Sequence, residues 1–232
     1  MSWTLTSFAP MPAALQSMIN IEAKFESDGF VVVDDILNDS ELCILTERCE
    51  SEVNTKVGTR NLLSFEWANE LAQKLIQHEV LKCLMPKKSV AVQCNYFSKD
   101  TKNNWYVTLH RDLSIPVKNQ NDSNEWRGWS EKEGVLYVQP PKQVLAKMVA
   151  VRLHLEDNNS ENGALEVVAG SHKNFTEKGE RRLSLVTQGG ALIMRPLILH
   201  SSTKLKSGQR RVLHFVFGPE KLPNKMEWAN AM

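Results

Sequence analysis

No apolar run in the chain reaches the ~20 residues that a membrane-spanning helix needs, and no signal-peptide pattern opens it. The four cysteines, Cys43, Cys49, Cys83 and Cys94, form no CxxC pair and no framework spacing. They read as reduced thiols of a cytoplasmic protein rather than as staples of a secreted one. Charge of one sign is also missing: 28 Lys and Arg stand against 27 Asp and Glu, a net +1. That balance offers nothing to nucleic acid or to an anionic membrane. Internal repeats and low-complexity stretches are absent as well. At 232 residues, 42% of them hydrophobic, the chain can bury the core of one domain covering 1–232.

The first part, 1–87, reads as a helical packing region. Pro12 to Glu26 places Leu15, Met18, Ile19 and Phe25 near one helical face and closes on Ser27-Asp28-Gly29. Phe30 to Val33 is a short strand. Asn38 and Glu41 have capping-box spacing, opening a helix to about Val53 that buries Leu42, Leu45 and Cys49. One further helix is predicted from Trp67 to Leu84. From residue 88 to 218 strands take over. Ser89 to Phe97 puts Gln93 and Asn95 on one face. In Met148 to Glu156, Val149, Val151, Leu153 and Leu155 share one face while Ala150, Arg152 and His154 share the other. Residues 117–147 read as a long polar loop carrying Trp126, Trp129 and Tyr137, and loops of that length are commonly functional. Arg210 to Phe217 is the last strand, and the tail from Pro219 reads as peripheral. Helices first and then many strands joined by turns predict a mainly β fold with flanking helices.

Chemistry concentrates at His110-Arg111-Asp112. Two residues apart on extended backbone, His110 and Asp112 point to one side, so an imidazole and a carboxylate offer two neighbouring corners of a metal site. Two histidines and one carboxylate with open positions is the arrangement of non-haem Fe(II) oxygenases. His200 is the best third ligand, closing a strand before Ser201-Ser202. Of the other histidines, His78 reads as a surface residue and His172 as part of a turn. His154 could line a cavity or be a satisfied core residue, and His214 alternates with Arg211, Leu213 and Phe215. Eleven residues after His200 comes Arg211, whose guanidinium can fork onto a carboxylate as lysine cannot.

These residues resemble the phytanoyl-CoA dioxygenase family of Fe(II)/2-oxoglutarate-dependent oxygenases. The resemblance rests on His110-Arg111-Asp112, on Glu161-Asn162-Gly163-Ala164-Leu165 leading to Ala169-Gly170-Ser171-His172, and on His200-Ser201-Ser202 followed by Arg211. Asp28-Gly29-Phe30-Val31-Val32 and the helix after Asn38 extend it over nearly the whole chain. It implies a double-stranded β-helix (a cupin-like jelly roll) at 88–218, with 117–147 inserted as an active-site lid. It also implies Fe(II) on His110, Asp112 and His200, which are the catalytic centre. Arg211, Ser202 and Gln93 would contact 2-oxoglutarate, with O2 as the other co-substrate. Two departures are Ala169, where members often have proline, and Arg152, where several relatives carry an aromatic.

The expected reaction is hydroxylation of an aliphatic C–H of a small-molecule metabolite, with release of succinate and CO2. Asp112 stands where related halogenases have a small residue, which disfavours halogenation. Arg152, Trp126, Trp129 and Tyr137 are the candidate substrate contacts, the aromatic rings by stacking and apolar burial. Other readings stay open on the residues: a desaturase or cyclase, a cupin-type metalloenzyme that does without 2-oxoglutarate, or a catalytically silent jelly roll.

Overall fold

In the computed structural model, which describes residues 12–53, 58–174 and 177–232, alternating apolar and polar residues build facing antiparallel sheets. The helical region gives α1 (Ala13–Asp28), β1 (Phe30–Val33), α2 (Asp39–Glu52), β2 (Gly58–Thr59), α3 (Glu66–Gln77) and α4 (Glu79–Leu84). Then come β3 (Ser89–Lys99), β4 (Val107–His110), β5 (Ile115–Val117), β6 (Arg127–Lys132), β7 (Val135–Gln139) and the short helix α5 (Lys142–Leu145). The chain continues with β8 (Val149–His154), β9 (Leu165–Val168), α6 (Ser171–Asn174) and β10 (Arg181–Leu183), and ends with β11 (Ala191–Met194), β12 (His200–Ser202) and β13 (Arg210–Pro219).

Six strands form the larger sheet in the order β1-β11-β8-β13-β3-β2, and four form the smaller in the order β10-β9-β12-β4. The period of two along β13 divides its side chains. Leu213, Phe215 and Phe217 join Val151, Leu153 and Ile193 in a core against Leu45, Trp67, Leu71 and Leu75 of the helices. Burying each phenylalanine there contributes roughly 2–3 kcal/mol. The opposite face of the sheet looks towards the smaller one. There Ala150, Leu192 and Met194 meet Leu165, Val167 and Ile198. The result is the expected jelly roll with helices outside. Among the described residues no helix is long and apolar enough to cross a membrane.

The capping box at α2 forms as its spacing predicts: Glu41 N–H donates to Asn38 Oδ1 at 3.0 Å and Asn38 N–H to Glu41 Oε2 at 3.1 Å. α1 closes on Gly29 in the left-handed region (φ 85°), its N–H bonded to Phe25 O at 2.9 Å. A Cβ there would lie 2.3 Å from His172 Nδ1, so this turn requires glycine on both steric and conformational grounds. The single helix predicted over 67–84 is instead two, broken at His78 (φ −59°, ψ 133°). Continued without a break, it would carry Leu84 roughly 180° round from Leu75. The reset lets both be buried.

Residues 117–147 are not a loop. β5, β7 and β6 make a third antiparallel sheet, turning at Glu133-Gly134 with both residues at positive φ, as tight hairpins require. Trp126, Val138 and Leu145 pack beneath it with Met226 and Trp228. The tail is therefore not peripheral either: Leu222, Met226 and Trp228 are buried, and Met232 exchanges backbone hydrogen bonds with Ala91. Each apolar side chain of the tail supplies cover that the small third sheet lacks on its own.

Candidate active site

β4 and β12 are neighbours, and His110 and His200 are direct register partners across them. Opposed residues of an antiparallel pair project to one face, and the two rings lie 4.2 Å apart between centroids. His110 Nδ1 meets Thr108 O at 2.8 Å and His200 Nδ1 meets Ile198 O at 3.1 Å. Donating Nδ1–H to a carbonyl leaves the Nε2 lone pair free for a metal. Asp112 follows β4 by two residues, its N–H held by Pro196 O at 3.0 Å. Its oxygens stand 3.6 Å from His110 Nε2 and 3.8 Å from His200 Nε2. One donor atom from each of the three lies within 4.8 Å of the others. Two imidazoles and one carboxylate so gathered, with both rings oriented through Nδ1, fit a divalent first-row metal.

The charge states suit that role. Burial pushes His200 down to about 4 and His214 down to about 3, so both are neutral imidazoles near neutral pH. For Asp112 burial works against the charge, but the imidazoles of His200, His110 and His214 outweigh it and hold its carboxyl below the usual carboxylate range. His110 is raised, chiefly by its hydrogen bond to Asp112.

The triad opens on a cavity of about 360 Å³, at the small end of small-molecule sites. Its far wall is the inner face of the larger sheet, carrying Gln93, Asn95, Phe97, Lys99, Arg152, Arg210 and His214. At one end Lys99 Nζ donates to Ser202 Oγ at 2.9 Å and to Thr203 O at 3.2 Å. Arg210, the register partner of Lys99, donates through Nη1 to Gly163 O. Gly163 is left-handed (φ 73°), and a Cβ on it would meet Thr203 O at 2.7 Å. The Glu161-Asn162-Gly163 turn thus serves to aim a carbonyl at Arg210. Burial, with Arg210 and Arg152 close by, pushes Lys99 down to about 7. Arg210, Lys99 and a hydroxyl, with no carboxylate among them, make an anion subsite chemically available here.

Of the residues the sequence nominated for co-substrate and substrate, Ser202, Gln93, Arg152 and Tyr137 line this cavity. Arg211 does not. It shares its face of β13 with Leu213 and Phe215, and its guanidinium is engaged by Glu156 and by Glu50 of α2. Arg210, one residue earlier, holds the inward position. The alternation of His214 against Arg211 already carried this signal, because His214 is the inward residue and Arg210 has its parity. Lys99 likewise continues the parity of Gln93 and Asn95 along β3. Trp126 and Trp129 are also elsewhere. Both pack on the core under the third sheet and line a shallow depression with Asn121 and Asp122, because β6 turns that side away from the triad.

Residues 25–213 match the family profile described as phytanoyl-CoA dioxygenase (PhyH). A search of curated protein sequences finds no match. Among solved structures, the non-heme alpha-ketoglutarate-dependent epimerase SnoN from nogalamycin biosynthesis superposes with a TM-score of 0.70 at 14% identity, covering 91% of each chain. HygX from Streptomyces hygroscopicus, solved with nickel and 2-oxoglutarate bound, gives 0.61 at 18% identity over 90% of this chain and 88% of its own. The carbocyclase SnoK, also from nogalamycin biosynthesis, gives 0.56 at 12% identity over 86% and 83%.

Proposed function

The chain belongs to the phytanoyl-CoA dioxygenase family of Fe(II)/2-oxoglutarate-dependent oxygenases, and from that premise we propose that it hydroxylates an aliphatic C–H bond of a small metabolite. His110, Asp112 and His200 hold the iron. Arg210 and Lys99, with Ser202, hold the distal carboxylate of 2-oxoglutarate. Iron with that co-substrate and O2 supplies the oxidising power, and succinate and CO2 are released.

One juxtaposition carries this reading: the triad and the anion subsite share β12. Ser202 lies two residues beyond His200, roughly 7 Å along the strand on the same face, about the reach of a short diacid anchored beside the metal. Neutral His200 presents its Nε2 to the ion, while Asp112 supplies the one anionic ligand. Arg210 and Lys99 orient the co-substrate by charge-assisted hydrogen bonds. Ile115, Leu145, Met148 and Val216 supply an apolar part of the cavity lining, which helps to keep water from the reacting centre. The cavity's size supports a compact substrate rather than an acyl-CoA, and no basic cluster for nucleotide phosphates was evident in the sequence. The four cysteines are free thiols, which supports work in the reducing cytoplasm.

A second reading, epimerisation or ring closure, follows from the fold neighbours named an epimerase and a carbocyclase. The deciding experiment is an anaerobic titration with Fe(II) and 2-oxoglutarate, then a metabolite screen for stimulated succinate release under ¹⁸O2. Hydroxylation places label in the product, whereas epimerisation or ring closure does not. Absence of iron and 2-oxoglutarate uptake would remove both readings.

A further inference from the structure

We propose that Arg152 receives a carboxylate of the substrate, so that the metabolite oxidised here is an organic acid. This rests on the oxygenase reading above and narrows it.

Arg152 is 8% exposed and lines the cavity. Its Nη1 faces His214 Nδ1 at 3.2 Å, and its Nε is buried with no hydrogen-bond partner among the described residues. The acidic group that acts on it is Asp112, whose charge serves the triad. A buried guanidinium with an unused donor and no carboxylate of its own among the described residues is costly unless a further group completes it.

Charge counting says which ligand remains to be supplied. Iron(II), Asp112 and doubly charged 2-oxoglutarate together carry one net negative charge. Arg210 alone balances that, even with Lys99 neutral. The cavity's other cations are engaged, Arg60 with Glu133, Arg111 with the Leu197 and Ser171 carbonyls and Lys132 over the Tyr137 ring, so Arg152 is left as the positive charge beside the triad that calls for one more anion.

Arg152 is rooted on a different rung from the Arg210–Lys99 pair, although its guanidinium lies over the Phe97 ring and close enough to act on both. Arg152 pairs in register with His214, and His214 with Asn95, four residues along β13 from the Arg210–Lys99 rung, or roughly 13 Å between Cα rungs. His214 Nε2 stands 3.8 Å from Asp112 Oδ2, so the Arg152 rung lies level with the triad. An acid held there keeps its carbon chain beside the iron. A single guanidinium presents a planar fork that fits one carboxylate.

The test uses the full chain loaded anaerobically with Fe(II) and 2-oxoglutarate, titrated calorimetrically with hexanoate and with neutral hexanamide. Hexanoate should bind about tenfold or more tightly. Arg152→Gln should erase that preference while 2-oxoglutarate affinity stays within about twofold, and Arg152→Lys should keep part of it. Melting curves of both variants check that they are folded, and the lysine variant carries the test if the glutamine one is not. Equal binding of the two probes, or a preference that survives Arg152→Gln, overturns the proposal. So does a loss of 2-oxoglutarate affinity in Arg152→Gln like that in Arg210→Leu, which assigns Arg152 to the co-substrate. Hexyl phosphate outcompeting hexanoate in the wild type overturns the choice of carboxylate. Failure at the earlier iron and 2-oxoglutarate titration overturns the oxygenase reading itself and this proposal with it.

Discussion

The two walls of the cavity are built differently and divide the chemistry between them. The wall of the smaller sheet presents His110 and His200 from strands of four and three residues, with a register shift between His200 and Ser202. The wall of the larger sheet presents Lys99, Arg152 and Arg210 from β3, β8 and β13, of eleven, six and ten residues. Short strands with loops attached can bring donors from distant parts of the chain around a point. Long strands, in regular register from Arg210 to Val216 along β13, hold long cationic side chains at fixed rungs, where little entropy is lost when an anion arrives. Metal ligation belongs to the irregular wall and ligand charge to the regular one.

The most severe break in that division is His200→Ala. It should abolish iron uptake and lower succinate formation by roughly a thousandfold, the scale of the several kcal/mol a bound metal contributes. An anaerobic iron titration with a succinate assay measures both. Next comes the pair Arg210→Leu and Arg211→Leu, adjacent residues on opposite faces of one strand. Arg210→Leu should raise the KM for 2-oxoglutarate by about thirtyfold, as loss of a charge-assisted contact worth ~2 kcal/mol implies. Arg211→Leu should leave that KM near wild type and lower stability by about 1–3 kcal/mol in denaturant melts, through the lost pairs with Glu156 and Glu50.

Smaller and pH-dependent is the contribution of Lys99. Burial lowers it to about 7 in the free cavity, and a bound carboxylate must raise it again. Affinity for 2-oxoglutarate is therefore greatest while the lysine stays charged and falls as pH rises above that value. The fall should be several-fold between about pH 6 and about pH 8.5. Calorimetry across this range should show it in the wild type, with a flatter profile in Lys99→Met. The least effect belongs to Glu133, which tethers the tip of the β6–β7 hairpin to Thr59 and Arg60 by three hydrogen bonds of 3.0 Å. The partners are part-exposed, so Glu133→Ala should cost about 0.5–1 kcal/mol. Faster amide exchange across 127–139 would report it.

Much of this geometry was legible along the chain. His-x-Asp spacing on extended backbone dictated that His110 and Asp112 share a side, and strand parity separated Arg152 from Val151. The same parity rule, carried one strand further, separates Arg210 from Arg211. There the count of residues after His200 pointed to Arg211, while alternation with His214 pointed to its neighbour. Alternation decides, because a side chain cannot cross its own sheet. The hairpin at 127–139 was illegible for a different reason. Its strands are short and polar on their exposed face, and their apolar partners, Met226 and Trp228, lie in the tail about ninety residues away.

Local spacing by itself settled which residue types could ligate, where the caps of α1 and α2 fall and which face of each long strand is apolar. Those properties depend only on backbone period and on neighbours a few residues apart. The packing of the sheets decided that His200 meets Asp112, that Lys99 and Arg210 share a rung, and that the tryptophans of the third sheet turn away. Such contacts depend on register between strands far apart in the chain, which no local pattern encodes.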